Sequence, residues 1–213
     1  CSAEHIERLS IIHNHGSWQI NSLYPGIVAS KYRIPYSSNR KPHIFFIGRL
    51  TPKSSFNLLV SSLSYIRSSN VCLHVVGIAR HDFISNYPHL DLPNVVFHGS
   101  LLEEIDIAKI ANQCLISVYP GNVGLSIIHS LAYGLPSIIH SSLEHHMPEA
   151  EIFDPSTMGL YFSRGDVLSL ASSIDALINS YSLSVQSTHC VRSCLNYNTK
   201  VMAASFKRMV DSL

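Results

Sequence analysis

The chain has 213 residues, is 46% hydrophobic and 14% charged, and carries a formal net charge of +1. This is the composition of a globular chain with one sizeable core. The near-neutral balance excludes the basic footprint of a nucleic-acid-binding protein, so any anion site has to be local.

The first forty residues mix turn formers with aromatics and show no sustained period, which predicts a linker or the remnant of an upstream domain over 1–40. From about Lys41 the pattern changes. Six short runs are apolar almost continuously: "HIFFIG" from His43, "VCLHVVG" from Val71, "NVVFHG" from Asn94, "CLISVYP" from Cys114, "PSIIH" from Pro136 and "GLYF" from Gly159. Continuous apolarity marks strands buried on both faces, as in a parallel sheet. Helical spacing falls between them, in Phe56, Leu59, Val60, Leu63 and Ile66, then Ile105, Ala108, Ile110 and Ala111, then Leu168, Ala171, Ile174 and Leu177. Asp166 is placed to cap the last of these, and Asn198 to cap a final helix through Met202, Phe206 and Met209. The alternation predicts an α/β, Rossmann-like, doubly wound parallel sheet of about six strands over residues 41–213.

In such sheets ligands bind beyond the carboxyl ends of the strands. Those ends carry Gly48-Arg49, Gly77, Gly99 and Pro120-Gly121. After the fourth strand the chain reads "PGNVGLSIIHSLAYG". Glycines let the backbone come close to a ligand, and the helix starting near Gly124 presents unpaired N–H groups and the positive end of its dipole. Together these suit a phosphate. His129, just over one turn along, is placed to bond a sugar hydroxyl. A plainer reading stays open at this point, in which "GNVG" is a tight strand-to-helix turn and His129 a satisfied core histidine.

"FFIGRLTPKSSFNLLVSSL", "LHVVG", "NVVFHGSL" and "VYPGNVGLSIIHSLAYGLPSI", followed in order by "MPEAEIF" and "GLYFSRGDVLSLASSI", resemble the nucleotide-sugar-binding, carboxyl-terminal half of GT-B glycosyltransferases of family 4, of the bacterial polysaccharide and lipopolysaccharide type. The resemblance covers most of the chain from Lys41. It implies one half of a GT-B fold and transfer, with retention, of a sugar from a nucleotide diphosphate sugar to a glycan or lipid-linked acceptor in polysaccharide biosynthesis. It implies Arg49 at the donor diphosphate. The family's lysine a few residues later is matched only by Lys53, one position early, with Ser54 in the usual place. It implies donor contacts at Gly48, Gly77, Gly99, Asn122, Val123, Gly124, Leu125, Ser126 and His129, with the amides of Val123, Gly124 and Leu125 facing the phosphates. The family's paired glutamates fall on Gly121 and His129, so the imidazole stands where an acid meets the ribose. No metal or other cofactor is expected. An acceptor-binding amino-terminal domain or a partner subunit is expected in addition, because 213 residues are too few for both halves. The alternative is a non-catalytic, degenerate partner subunit, favoured by the two missing glutamates and the shifted lysine.

Other constellations are weaker. His140, His145, His146 and Glu149 lie close in sequence, as do His189, Cys190 and Cys194, but surface histidines and lone cysteine pairs more often have no metal. Ser126 does not sit in a G-x-S-x-G elbow. No G-x-G-x-x-G follows the first strand, which weakens a nicotinamide-binding reading. Glu103, Glu104 and Asp106 read as acids favouring a helix dipole. Five cysteines without a framework point to a reducing compartment. With no signal peptide and no apolar run near the roughly 18 residues of a spanning helix, a cytoplasmic location is expected, or a peripheral one at the inner face of the membrane. A start at Cys1 leads us to expect a fragment of a longer product.

Overall fold

Strand β1, His43–Ile47, buries Ile44 and Phe46 on one side and Phe45 on the other, each with no exposed surface. That double burial is why its sequence does not alternate. The computed structural model describes residues 31–37, 40–195 and 199–212. β1 is followed by α1 (Phe56–Ser62), β2 (Cys72–Val76), α2 (Arg80–Asn86), β3 (Val95–Phe97), α3 (Glu104–Ala111), β4 (Ile116–Val118) and α4 (Leu125–Ala132). Then come β5 (Ser137–His140), α5 (Pro155–Met158), β6 (Gly159–Phe162), α6 (Val167–Ile178), α7 (Leu183–Cys194) and α8 (Thr199–Asp211).

The six strands form one sheet in the order β3-β2-β1-β4-β5-β6, every neighbouring pair parallel. The expected doubly wound fold is therefore present. Ile44, Phe46, Leu73 and Ile116 pack with Phe56, Leu59, Leu170 and Ile174 on one face of the sheet. Phe45, Val76 and Ile139 pack with Ile107, Ile127, Leu131 and Cys190 on the other. The chain's direction of winding reverses between β1 and β4, so a crevice opens beyond the carboxyl ends of those two strands.

Local signals account for several boundaries. Asp166 Oδ1 accepts from the amides of Leu168 and Ser169, both at 2.9 Å, which is the expected cap of α6. α1 closes into a 3-10 turn at Leu63–Tyr65 rather than running to Ile66. α2 was not legible because Phe83 is its one buried residue. α7 was hidden differently: its buried stripe, Leu183, Ser187, Cys190 and Cys194, has helical spacing but is half small or polar. α8 forms where a last helix was expected, yet Phe206 remains exposed, and Asn198 lies outside the described residues.

Of the stretch expected to be a linker or remnant, residues 31–37 and 40 are described, and they lie against the domain. The buried Arg40 donates to the carbonyls of Cys114 (3.2 Å) and Ile34 (2.9 Å). Asn112 accepts from the Ile34 amide at 2.9 Å and donates to the Tyr32 carbonyl at 3.0 Å. Among the described residues no helix is long and apolar enough to cross a membrane.

Candidate functional site

At the carboxyl edge three glycines step across the sheet. The Gly48 amide donates to the Val76 carbonyl at 3.0 Å, and the Gly77 amide to the Gly99 carbonyl at 2.8 Å. Gly77 sits at φ +114, and a Cβ there would lie 2.4 Å from the Gly48 carbonyl oxygen, so no larger residue fits. Arg49 follows and is exposed. It lies close enough to Tyr119, the residue after β4, for its charge to act on the phenol. Burial raises the Tyr119 pKa and the Arg49 charge partly offsets that. Tyr119 itself stacks on Phe46 at 5.2 Å between ring centroids.

The loops after β1 and β4 then lock together. The Asn122 amide donates to the Lys53 carbonyl at 2.8 Å. A Cβ on Gly121 would lie 2.0 Å from that oxygen and 2.5 Å from the carbonyl carbon of Ser54. Glycine at 121 is thus dictated by the approach of the two backbones, and an acid cannot occupy the position without parting them. Ser54, in the place of the expected lysine, is buried and bonds the Thr51 carbonyl at 2.8 Å. Lys53 is exposed beside it, so its backbone is structural while its ammonium stays free to reach outward.

The residues around the start of α4 divide by role. Val123 is fully buried, and its amide donates to His146 Nδ1 at 3.0 Å. Its carbonyl accepts from the Met147 amide at 2.8 Å. The Val123 amide was expected to face phosphate, but it already has a partner. Among the described residues no acceptor lies on the amides of Gly124, Leu125 or Ser126, which form the open first turn of α4. His146 is oriented by its second nitrogen, which donates to the His140 carbonyl at 2.9 Å. These two bonds require the neutral imidazole with its proton on Nε2. His140 has no exposed surface, neither of its ring nitrogens has a partner among the described residues, and its ring stacks on His146 at 3.9 Å. Burial, together with the His146, Arg164 and His145 charges, pushes its pKa down to about 4. The buried Glu149 lies beside Gly124, with Oε2 unpartnered, at the favourable end of the α4 dipole.

His129 is 9% exposed, and its Nε2 lies 2.7 Å from Glu104 Oε1. Tyr133, one turn further along α4, donates its hydroxyl to the same oxygen. Of the two roles open to His129, the structure displays the satisfied, buried one. Sequence reasoning missed Glu104 as a member of this cluster. The available signal was the four-residue spacing of His129 and Tyr133, two polar groups on one face of an apolar helix that share a need for an acceptor. Burial opposes ionisation of Glu104, but the hydrogen bonds from His129 and Tyr133 and the His129 charge outweigh it, so its carboxyl stays below the usual range. Ser126 and Ser130, also on α4, line a small void together with Ser117 and Ser137, whose hydroxyls bond each other at 2.6 Å.

The remaining candidate metal ligands lie elsewhere. Cys190 and Cys194 are buried in the core behind α4, where burial raises both thiols, Cys194 to about 12. Among the described residues no three His, Cys, Asp or Glu side chains come together in a way that could hold a metal ion.

A parallel sheet wound in this order defines a Rossmann-like domain, with open amides and a cation near its switch point. The family model for glycosyl transferases group 1 matches residues 41–180, and the chain belongs to that family. No curated protein sequence matches the chain. Among solved structures it is similar to a sucrose-phosphate synthase from Thermosynechococcus elongatus, with a TM-score of 0.67 and 17% identity over 86% of this chain and 50% of that one. It is similar to the lipopolysaccharide outer core galactosyltransferase WaaB in its apo form, with a TM-score of 0.68 and 14% identity over 84% and 52%. It is also similar to Anabaena HepE in complex with UDP and glucose, with a TM-score of 0.65 and 16% identity over 83% and 49%. The chain therefore has the fold of one half of a GT-B glycosyltransferase, and it spans about half the length of these three structures.

Proposed function

We propose that this chain is the donor-binding half of a retaining glycosyltransferase that takes its sugar from a nucleotide diphosphate sugar. The observation that carries the reading is the bond from the Asn122 amide to the Lys53 carbonyl. It fixes the loop bearing Arg49 and Lys53 against the loop that opens α4, so two cations and a row of unpaired amides share one crevice. A diphosphate fits that combination, because charged hydrogen bonds to guanidinium and amide are each worth about 1.5–3 kcal/mol. HepE, of the same fold, was solved with UDP and glucose, which supports a uridine nucleotide as the first ligand to try.

In the reaction the bond between the sugar and the diphosphate breaks, and negative charge develops on the departing phosphate. Arg49, Lys53 and the amides of Gly124, Leu125 and Ser126 stabilise that charge from fixed positions, which lowers the barrier. The base lies toward Gly77, His98 and Gly99, and the ribose toward the His129 end of the crevice. The acceptor, a glycan or lipid-linked sugar, is held by a second domain or a partner subunit. The enzyme works in the cytoplasm or at the inner face of the membrane, in polysaccharide biosynthesis.

Gly121 favours one other reading. Its backbone contact leaves no room for the acid that would meet the transferred sugar, as in a subunit that binds nucleotide without transferring. Calorimetric titration with UDP, UDP-glucose and GDP tests the donor-binding proposal, with micromolar binding expected for one nucleotide series. Sugar release or transfer, assayed after adding the acceptor-binding half, then separates the transferase from the degenerate subunit. Absence of binding to every nucleotide would overturn both.

A further inference from the structure

We propose that Glu104, and not His129, is the residue that touches the ribose. The proposal rests on the nucleotide-binding reading above and adds to it a specificity-determining residue on a different helix.

Glu104 opens α3, just beyond the carboxyl end of β3. The start of α3 meets α4 at its second turn and its carboxyl end, through His129 and Tyr133, and Ile107, Ala108, Ile127 and Leu131 of the two helices share one core cluster. Two donors converge on a single oxygen of Glu104. His129 Nε2 lies 2.7 Å from Oε1, and the Tyr133 hydroxyl bonds the same atom. Among the described residues no bond is made to Oε2, and that atom is not among the buried, unpartnered ones, so it keeps some exposure on a side chain that is 15% exposed. The carboxyl stays ionised, and an ionised carboxylate only accepts. Held one to two turns along α4 from its open first-turn amides, it repels phosphate, so a group that binds it has to be a donor. On a nucleoside diphosphate held by the α4 amides, the donors one helical turn from the phosphates are the ribose hydroxyls. His129 has its Nε2 committed to Glu104, and so it serves to aim the carboxylate.

The test is titration of the chain with UDP, 2′-deoxy-UDP and 3′-deoxy-UDP, for the wild type and for Glu104→Gln. A charged hydrogen bond to one hydroxyl gives the wild type a preference for UDP over at least one deoxy form of roughly tenfold or more. In Glu104→Gln that preference falls to within about twofold while diphosphate binding persists. Glu104→Asp, which keeps the charge but withdraws it by one methylene, gives the same direction of change should the glutamine variant fail to fold. A wild type that binds UDP without discriminating sugars, or variants that keep the full preference, would overturn the role of Glu104 and leave nucleotide binding intact. A wild type that binds none of the three would remove the nucleotide reading itself, and this proposal with it.

Discussion

The amide of Asn122 is bonded to the carbonyl of Lys53 at 2.8 Å, so the turn after β4 rides on the turn after β1. The contact has no slack, since a single Cβ on Gly121 would overlap both the Lys53 oxygen and the Ser54 carbonyl carbon. Overpacking of this kind costs about 1–3 kcal/mol. Gly121→Ala should therefore lower the melting temperature by roughly 2–10 °C and weaken UDP binding along with it, because the cation and the amides move apart. Thermal melts and titration of one preparation check both. A variant that melts and binds like the wild type would mean that the two loops are not in contact.

The cap of α6 makes a purely structural prediction. Asp166 satisfies two amides that otherwise face water. Asp166→Ala should cost about 1 kcal/mol, a drop of roughly 2–4 °C. Because α6 packs on the face opposite α4, nucleotide affinity should not change. A loss of affinity would show that the two faces are coupled.

Acid should destabilise the fold through its histidines. His74 Nδ1 lies 3.0 Å from His98 Nε2, and His74 Nε2 lies 2.9 Å from His43 Nδ1, a line of imidazoles across β1, β2 and β3. Burial, then the charges of His43, His98 and Lys41, push His74 down to about 4. His140 is pushed to the same region by burial and its charged neighbours. Both folded-state values lie below the roughly 6.5 of an unfolded histidine. Between these limits the unfolded chain binds more protons, so stability is fully present above about pH 6.5 and declines as the pH falls toward 4. Melting temperature should drop by on the order of 5–10 °C between pH 7 and pH 5, and His74→Leu should flatten part of that slope. A melting temperature independent of pH over this range would contradict the assignment of these rings as neutral, His140 buried and His74 half-buried.

Much of this was legible in the chain. All six strands announced themselves because each is a nearly continuous apolar run, although β3, at the edge of the sheet, leaves Val96 exposed, and the glycines after β1, β2 and β3 marked the carboxyl edge of the sheet. What stayed hidden depends on contacts between distant segments. Gly121 looked like a missing acid, and only its approach to Lys53 and Ser54 shows why glycine is needed there. Val123 looked like an open amide, but His146, twenty-three residues later, occupies it. Glu104 looked like one acid of a helix start, since nothing local ties it to His129 and Tyr133 on another helix. α7 escaped because its buried stripe is half small or polar, and Ser187 in it packs so closely on Gly134, just past α4, that a Cβ there would lie 2.5 Å from the Ser187 hydroxyl.

The central claim is that Arg49 and the first turn of α4 grip the same diphosphate. Titrating wild type and Arg49→Ala with UDP and UMP measures it directly. Wild type should bind UDP at least about tenfold more tightly than UMP, and the arginine variant should lose most of that difference while keeping its melting temperature. Equal affinity of the wild type for UDP and UMP, or an undiminished preference in Arg49→Ala, would contradict it.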